Sequence, residues 1–471
     1  LRDCVPVEAD LRCDMTPEQD LRAADARYHV HGQTALRSHD ENGPSAMVVE
    51  GEGVWITTDD GQRLIDGFSG LGCTSLGYDN ARIAGAAHDQ LTTLPYAPTF
   101  YGRTHPKVAA LAERLVGLAP GDMSRVIFQC SGSEATDTLI KFLWARNIAR
   151  GELDRRTFIS RWRGYYGNTI ASVSMSGQPH MHEKFGLPLD GFVKTETPNY
   201  YLNHIDGETE EEFSERMADD LERVILDVGP DRVAAFAAEP MQSGGGAIKP
   251  PEGYWPRMQG VMREHGIHFH VDEVVCGFGR TGNRWGSETW GLEPDTVSCA
   301  KALTAGFFPM SALLFKEDLY QDLQTNADDI GVLGHGYTYS GHPVGAAIAM
   351  EALDIYDDID LIGHVRSVSP DFLAGCEALE EHPLVGHVAG VGLFCGIQLV
   401  ANKATRELFD PALKIGQRVQ DHAHARGLYL RAIAPDRISF MPPLIIAPDE
   451  IEEATRRLAG ALDDTWAELG R

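Results

Sequence analysis

Val271-Asp-Glu-Val-Val-Cys-Gly-Phe-Gly-Arg-Thr-Gly282 is the most informative segment of the chain, and Ala300-Lys-Ala-Leu-Thr-Ala-Gly306 follows it. The apolar run from Ile267 to Val275 predicts a buried strand, and Asp272 lies near its end. Lys301 comes 29 residues after Asp272, just before a small turn that contains glycine. The two segments therefore offer a carboxylate at the end of a strand and a lysine at a turn.

Lysine is scarce in this chain, with nine lysines against 32 arginines. Lys301 lies among small and apolar residues, whereas Lys107, Lys184, Lys316 and Lys403 have polar or loop-like neighbours. An amine in apolar surroundings has a lowered pKa and can act as a nucleophile and a base. Pyridoxal phosphate (PLP) requires such an amine for a Schiff base with its aldehyde, and a carboxylate that keeps its pyridine nitrogen protonated. The pattern favours a PLP site.

The rest of the chain predicts an α/β fold. From about Asn80, helices alternate with short apolar strands, which indicates a mostly parallel sheet with ligands beyond the strand ends. The predicted strands are 126–128, 157–159, 233–238, 267–275, 296–298 and 312–315. A long helix over 344–356 precedes an α+β region with strands near 393–399 and 438–446. Nearer the start, a helix over 16–29 and a hairpin turn at Asp59-Asp60-Gly61 are expected.

The predicted organisation is a large domain over residues 80–342 with a smaller α+β domain built from both chain ends, 1–79 and 343–471. A formal net charge of −28 argues against nucleic acid and anionic membranes as partners. No apolar run approaches the ~20 residues of a membrane span. The eight cysteines show no C-x-x-C spacing, which is typical of a reducing compartment, so a cytoplasmic location is expected.

Four further segments each allow a functional and a structural interpretation. Cys130-Ser-Gly-Ser-Glu-Ala-Thr-Asp137 follows a strand and opens a helix, which suits phosphate binding or helix capping by Ser131 or Ser133. Arg163-Gly-Tyr-Tyr-Gly167 suits stacking on a flat ring or aromatic core packing. The loop from Gly334 to Pro343 is rich in hydroxyls and glycines and suits function or simple turns. Arg431 could bind a carboxylate or end a strand.

Two other interpretations are disfavoured. Gly277-Phe-Gly-Arg-Thr-Gly282 matches a dinucleotide-binding pattern, but no apolar-periodic helix follows it. His268, His270 and Asp272 would share one face of a strand, as metal ligands can, but no second ligand cluster has matching spacing. The histidines are expected in the core or at a strand end, and no metal is predicted.

Together these motifs resemble the class III (ω-) aminotransferases, which are fold-type I PLP enzymes. The closest likeness is to the amine– and ω-amino-acid–pyruvate branch, which includes putrescine–pyruvate enzymes. It runs from about His29 to Pro448. The motifs that carry it are Ser131-Gly-Ser-Glu134, Gly164-Tyr-Tyr-Gly167, Glu239-Pro-Met-Gln-Ser-Gly-Gly-Gly246, Asp272-Glu273, Gly277-Phe-Gly-Arg-Thr-Gly282, Ala300-Lys301, His335-Gly-Tyr-Thr-Tyr-Ser-Gly-His342 and Pro442-Pro-Leu444.

The resemblance implies how the cofactor ring is held. Lys301 would be the Schiff-base lysine and the proton shuttle, and Asp272 would pair with the pyridine nitrogen. Tyr165 would stack on the ring, Val274 would pack on its opposite face, and Glu239 would be an acid near the ring.

The resemblance also implies the remaining contacts of the site. Gly132 and Ser133 would hold the phosphate at the helix start. Thr338 would reach the phosphate of a neighbouring subunit, so a homodimer with shared active sites is expected, possibly paired into a tetramer. Arg431 would bind the carboxylate of the acceptor. The substrate pocket would be lined by Leu71, Gly72, Phe100 and Tyr101.

Departures from the family pattern narrow the expected substrates. Relatives that use 2-oxoglutarate often have a glutamate near the substrate arginine, but Gly244 stands there, which leaves Arg431 unpaired and favours pyruvate. Gly72 replaces a common tryptophan, which would widen the pocket for a bulkier amine. Tyr166 replaces a usual histidine and Ala302 a usual glycine, and neither change touches the reacting groups.

The expected function is PLP-dependent transfer of an amino group from a primary amine or ω-amino acid to pyruvate, by a ping-pong mechanism. The alternatives within the fold are a 2-oxoglutarate-dependent transaminase, an aminomutase, or transamination that depends on decarboxylation. An alternative of another class is a PLP-holding protein without turnover, which Lys301, Asp272 and Arg431 argue against.

Overall fold

A computed structural model describes residues 21–470 of the chain. Its described residues form two compact units. The smaller holds residues 21–51 and Ile56–Arg63, and the larger holds Glu52–Trp55 and residues 64–470. The domain boundaries expected at 79/80 and 342/343 stay predictions.

Fifteen strands and sixteen α-helices are formed by the described residues. The strands are β1 Val48–Glu52, β2 Trp55–Thr58, β3 Arg63–Asp66, β4 Arg125–Gln129, β5 Thr157–Arg161, β6 Phe192–Thr195, β7 Val233–Ala238, β8 His268–Asp272, β9 Thr296–Cys299, β10 Ser311–Phe315, β11 Val385–Val391, β12 Phe394–Leu399, β13 Leu428–Tyr429, β14 Arg431–Ile433 and β15 Arg437–Phe440. The helices are α1 Leu21–Tyr28, α2 Leu36–Asn42, α3 Ser69–Gly72, α4 Ala81–Thr93, α5 Pro106–Leu118, α6 Gly132–Ala149, α7 Ile170–Met175, α8 Tyr200–Asn203, α9 Glu210–Val228, α10 Tyr254–Glu264, α11 Gly286–Trp290, α12 Glu317–Ile330, α13 Pro343–Asp358, α14 Leu361–Glu377, α15 Ile415–Ala425 and α16 Pro448–Glu468.

A seven-stranded sheet is the centre of the larger unit, in the order β4-β10-β9-β8-β7-β5-β6. Strands β9, β8, β7, β5 and β6 are parallel, and β10 is antiparallel to both β4 and β9. This confirms the predicted α/β fold with a mostly parallel sheet. The carboxyl ends of parallel strands meet at one edge, so the residues that follow β5, β7, β8 and β9 converge there.

Helices cover both faces of this sheet, which explains why its inner strands are continuous apolar runs. Neighbouring residues of a strand point to opposite faces. Ile159 of β5 packs in a cluster with residues of α9 and α10, such as Phe213 and Trp255. Phe158 packs in another cluster with residues of α6 and α12, such as Phe142 and Leu319.

A second sheet of the larger unit is antiparallel, with the order β11-β12-β15-β14. The strand expected over 438–446 ends at Phe440, because Pro442 and Pro443 have no N–H to donate to a ladder. The strand expected over 267–275 likewise ends at Asp272, and residues 274–285 form turns. Strand β6 was not predicted, since its four residues include a lysine and a threonine.

In the smaller unit, the expected turn at residues 59–61 is present, and Gly61 N–H donates to the Thr58 carbonyl over 2.9 Å. The helix expected over 16–29 corresponds to α1 at Leu21–Tyr28, and residues 16–20 lie outside the described part of the chain. Of the helices described between residues 21 and 470, none combines the length and the apolar character needed to cross a membrane.

Candidate active site

Lys301 follows β9 and begins a 3₁₀ turn that ends at Thr304. Its backbone has φ 47°, in the left-handed region that costs energy for a residue with a side chain. The side chains on either side of it, Ala300 and Ala302, are each only 6% exposed. Between residues 21 and 470 we find no hydrogen bond or ion pair to its Nζ. The amine is therefore held by a strained backbone in apolar surroundings and is not neutralised by a carboxylate.

Asp272 ends β8 and is 5% exposed. Its Oδ1 accepts one hydrogen bond, from the Val274 N–H at 2.9 Å. Burial, and then the negative charge of Glu239, raise the pKa of Asp272 to about 8, while the charge of Lys301 opposes this shift. A buried carboxylate that accepts so few hydrogen bonds fits a cationic N–H donor, such as a protonated pyridine nitrogen.

Glu239, which follows β7, fixes the backbone of Tyr165. One of its carboxylate oxygens accepts from the Tyr165 N–H at 3.1 Å, and the other accepts from the Ser243 N–H at 2.7 Å. The side chain of Tyr165 is 38% exposed, so one side of the ring is open. A Cβ at Gly244 would lie 2.4 Å from the Tyr165 Cβ, so only glycine fits against this tyrosine.

The start of α6 lies close to Val274, because a Cβ at Gly132 would be 3.4 Å from Val274 Cγ2. Ser131 is the N-cap, and its Oγ accepts from the Glu134 N–H at 3.2 Å. Ser133 Oγ accepts from the Asn168 N–H at 2.9 Å. The capping interpretation is therefore correct for Ser131. The positive end of α6 lies at the edge of the sheet where the carboxyl ends of the parallel strands meet.

Gly72 brings the loop between β3 and α4 next to the lysine. A Cβ at Gly72 would lie 3.7 Å from Lys301 Nζ and 3.4 Å from Met441 Cε, and the residue has φ +74°. Leu71 beside it is 55% exposed. The loop is held by Asp66, which the sequence analysis missed. The only signal for it was its place at the start of a glycine-rich segment.

Asp66 is fully buried, and every hydrogen bond described for its carboxylate is accepted from a group of this loop. The donors are Phe68 N–H at 3.0 Å, Gly70 N–H at 2.6 Å, Thr74 Oγ1 at 3.3 Å and Tyr78 Oη at 2.9 Å. This one side chain therefore sets the path of the backbone that carries Leu71 and Gly72.

Arg431 begins β14, and its guanidinium carbon lies 5.7 Å from the centroid of the Phe68 ring. It has no carboxylate partner in the described part of the chain. Its positive charge opposes the rise that burial causes in the pKa of Tyr165. The structure thus brings Arg431, Tyr165, Asp272 and Lys301 into one electrostatic neighbourhood.

Phe100, Tyr101 and Thr338 lie elsewhere. Phe100 and Tyr101 line a cavity of about 850 Å³ together with residues 332–336. Tyr101 is 91% exposed. Thr338 is exposed as well, and its carbonyl accepts from Tyr96 Oη at 2.9 Å. In the part of the chain that the structure describes, no hydrogen bond or ring contact joins these three residues to Lys301.

The two disfavoured interpretations can be compared with the structure. His268 and His270 are buried, where His268 bonds to Arg146 at 2.7 Å and His270 to Thr296 at 2.9 Å. Burial lowers the pKa of His270 to about 3. Residues 277–282 lie in turns and open no helix, unlike a dinucleotide-binding loop.

Comparison with known proteins gives a consistent result. The sequence profile of the family "aminotransferase class-III" matches residues 37–462. An uncharacterized aminotransferase of Sinorhizobium fredii is 42% identical over 427 residues, which cover 90% of this chain and 91% of that protein. A mitochondrial gamma-aminobutyrate transaminase of Oryza sativa subsp. indica is 39% identical over 421 residues, which cover 89% of this chain and 81% of that protein.

Solved structures agree with the sequence relatives. The ω-transaminase from Pseudomonas jessenii in complex with PMP has a TM-score of 0.94 and 38% identity, covering 96% of this chain and 99% of that one. A thermostable ω-transaminase variant with a tryptophan-to-glycine substitution, engineered for asymmetric synthesis of enantiopure bulky amines, has a TM-score of 0.93 and 38% identity, covering 96% of this chain and all of that one. The chain therefore belongs to the class III aminotransferases and is a PLP-dependent enzyme of the fold-type I architecture.

Proposed function

We propose that this enzyme transfers an amino group from a primary amine or ω-amino acid to pyruvate by a ping-pong mechanism. The observation that carries the proposal is Arg431, which has no carboxylate partner in the described part of the chain. A mobile, unpaired guanidinium can bind the carboxylate of pyruvate or alanine and withdraw for an amine without a charge.

The space around Gly244 supports the same acceptor. A glutamate at this position could pair with Arg431 when a substrate with one carboxylate is bound. A Cβ there would lie 2.4 Å from the Tyr165 Cβ, so a glutamate would displace the tyrosine. In this proposal Arg431 itself moves, and this movement lets the enzyme accept both charged and uncharged substrates.

PLP, when bound, supplies an electron-accepting ring that carries the amino group between the two half-reactions. Lys301 Nζ would hold the cofactor and move the proton at the reacting carbon of the substrate. Asp272 would keep the proton on the pyridine nitrogen, since its carboxylate is buried and has only one hydrogen bond. Tyr165 and Val274 would orient the ring, and Gly132 and Ser133 would bind the phosphate at the start of α6.

The amine is proposed to be bulky. Gly72 leaves the space beside Lys301 Nζ open, where the branch commonly has an indole. The engineered ω-transaminase variant described above, made for bulky amines, also exchanges a tryptophan for glycine. This chain would have a wide pocket of that kind without engineering.

The complete site is proposed to form in a homodimer. Thr338 and Tyr101 are exposed on a single chain, and no contact described between residues 21 and 470 joins them or Phe100 to Lys301, which suits residues that serve the site of a partner subunit. The enzyme is also proposed to work in the cytoplasm, as its cysteine pattern suggests, although the rice relative is named mitochondrial.

A second candidate is transfer from 4-aminobutyrate, because a relative with 39% identity is named a gamma-aminobutyrate transaminase. That name does not state the acceptor. Both candidates use the same residues at the cofactor, and they differ in what Arg431 and the pocket around Gly72 bind.

The absorption of the PLP-loaded enzyme separates the candidates. We expect alanine and an amine without a carboxylate each to bleach the yellow band of lysine-linked cofactor, and pyruvate to restore it. Arg431→Ala should abolish the response to alanine and spare the response to the amine, and exposed Arg232→Ala is the matched control. Bleaching by glutamate but not by alanine would contradict the pyruvate proposal. Bleaching by 4-aminobutyrate but not by a bulky amine would favour the second candidate.

A further inference from the structure

Three histidines and one aspartate cluster in the smaller unit, and the proposed reaction uses none of them. Asp25 lies on α1, His29 and His31 follow the end of that helix, and His39 lies on α2. The His29 N–H donates to the Asp25 carbonyl over 2.9 Å, so the chain completes one more helical turn beyond α1 and brings His29 to the side of Asp25. The two short helices therefore bring four ligand-type side chains together.

The four side chains converge on the carboxylate of Asp25. His29 Nδ1 lies 3.0 Å from Asp25 Oδ1, and His31 Nε2 lies 3.1 Å from Oδ1 and 3.0 Å from Oδ2. His39 Nε2 lies 3.3 Å from Oδ2. One ligand atom from each of Asp25, His29 and His31 can be chosen so that all three lie within 4.8 Å of one another.

Hydrogen bonds alone do not satisfy this cluster. His39 is 6% exposed, and its Nε2 lies 3.3 Å from Asp25 Oδ2 without the geometry of a hydrogen bond; the 3.0 Å approach of His31 Nε2 to the same oxygen also lacks that geometry. Buried polar atoms of this kind normally have a partner, because leaving one unsatisfied costs about 1–3 kcal/mol. His39 Nε2 and Asp25 Oδ2 lie side by side, as two ligands of one cation would.

We propose that Asp25, His29 and His31 bind a Zn²⁺ ion and that His39, whose Nε2 lies 3.3 Å from Asp25 Oδ2, moves in as its fourth ligand. Nitrogen and carboxylate oxygen are the atoms that Zn²⁺ prefers beside thiolate, at about 2.0–2.2 Å. Ligand atoms of a tetrahedral site with such bonds are about 3.3 Å apart. The histidine nitrogens already lie 3.0–3.3 Å from the Asp25 carboxylate. The ligand atoms of Asp25, His29 and His31 lie within 4.8 Å of one another, so the histidines would have to close around the ion.

The site is structural. Four protein ligands leave no open position for a substrate, which distinguishes structural from catalytic zinc sites. The ion would join α1 to α2, two helices of eight and seven residues that are too short to be stable alone. His29 is 70% exposed, so the ion can reach the site from solvent.

Metal content of the purified, PLP-loaded protein tests the proposal. We expect one Zn²⁺ per chain after gel filtration, removal by a strong chelator, and return of one equivalent on titration with Zn²⁺. The double variant His29→Ala/His31→Ala should bind at least about 100-fold more weakly, since two of four ligands are lost. His88→Ala, which removes an exposed histidine outside the cluster, should bind Zn²⁺ as the wild type does.

A second readout separates a real site from weak binding by the many surface acids. Co²⁺ in the site should give the intense visible bands of a tetrahedral complex, and these should be absent in the double variant. Added Zn²⁺ should also raise the unfolding temperature of the wild type and not that of the double variant. Equal Zn²⁺ affinity in wild type and double variant, or only the pale spectrum of octahedral Co²⁺, would overturn the proposal.

Discussion

Gly72 determines how much space a substrate finds beside the lysine amine. We expect Gly72→Trp to lower the rate for bulky amines by at least tenfold while small amines keep most of their rate, because the indole fills the open space. Any side chain at φ +74° also strains the backbone, by roughly 1–2 kcal/mol. Gly72→Ala, which has the strain without the volume, is the control. Specificity constants for a small and a bulky amine check this, and an equal loss on both would contradict it.

Asp272 makes the stability of the cofactor-free enzyme depend on pH. Its pKa is about 8 in the folded protein and near 3.8 when it is unfolded, so folding takes up a proton between these values. The contribution of Asp272 to the free energy of unfolding is therefore greatest below pH 3.8. It falls by about 1.4 kcal/mol per pH unit as the pH rises from there to about 8.

Asp272→Asn should remove this contribution. We expect the difference in unfolding free energy between the variant and the wild type to grow from pH 5 to pH 8, in favour of the variant. Denaturant unfolding of both proteins without PLP measures it. A difference that does not change with pH would show that Asp272 keeps its ordinary pKa. Glu273, whose pKa burial raises to about 7, titrates in both proteins, so the comparison isolates Asp272 together with the repulsion between these two carboxylates.

Lys301 could be singled out because its neighbours in the sequence carry the evidence. Ala300, Ala302 and the glycine turn predict apolar surroundings for this lysine without any tertiary information. Lys194 shows the limit of this argument. Burial lowers its pKa to about 7, yet its mixed neighbours, apolar Phe192 and Val193 before it and polar Thr195 and Glu196 after it, gave no sign of it. Its Nζ donates to the Ser174 carbonyl at 2.9 Å, a contact between segments that only the folded chain brings together.

At the scale of elements, the loop from Asp66 to Tyr78 places Gly72 beside the Lys301 amine, where the proposed substrate pocket lies. Phe68 N–H donates to one oxygen of Asp66 and Gly70 N–H to the other. An asparagine must therefore place its NH₂ against one of these two donors. We expect Asp66→Asn to destabilise the enzyme by roughly 2 kcal/mol or more. It should also raise KM for the amine more than it lowers kcat, because the loop is displaced and Lys301 is not.

The matched control is Asp79→Asn, the same chemical change at an exposed position just beyond the loop. Thermal unfolding and steady-state kinetics of the two variants give the comparison. If Asp66→Asn unfolds and reacts as the control does, the hydrogen bonds of Asp66 do not set the loop.

Strand positions followed from the sequence, and several strand ends did not. The apolar runs of β7 and β9 are local patterns, and both strands lie where they were expected. The end of β8 at Asp272 depends on the turn that follows, whose backbone is fixed by distant contacts. Arg280 in that turn donates to the Leu393 carbonyl at 3.0 Å and to Ser69 Oγ at 3.1 Å. Such contacts join segments far apart in sequence and carry no local signal.

At the scale of the whole molecule, the proposed homodimer would give a role to the cavity lined by Phe100, Tyr101 and residues 332–336. An exposed tyrosine and a partly buried phenylalanine beside this glycine-containing loop form an apolar surface of the kind that protein interfaces cover. Thr338 follows directly after this loop. If two copies associate through this surface, Thr338 of one chain can reach the phosphate site at Gly132 and Ser133 of the other.

A heterodimer tests this arrangement directly. Thr338→Asp places a negative charge against the phosphate and should abolish PLP binding in its homodimer, and Lys301→Ala should be inactive in its own. When Thr338 acts on the partner's site, a heterodimer of the two variants has one intact site and one site with both changes. Random assembly should then restore about a quarter of the wild-type activity per subunit, because half of the dimers are mixed and each has one working site. Size-exclusion chromatography confirms that mixed dimers form. No recovered activity in such dimers would mean that Thr338 serves the site of its own chain.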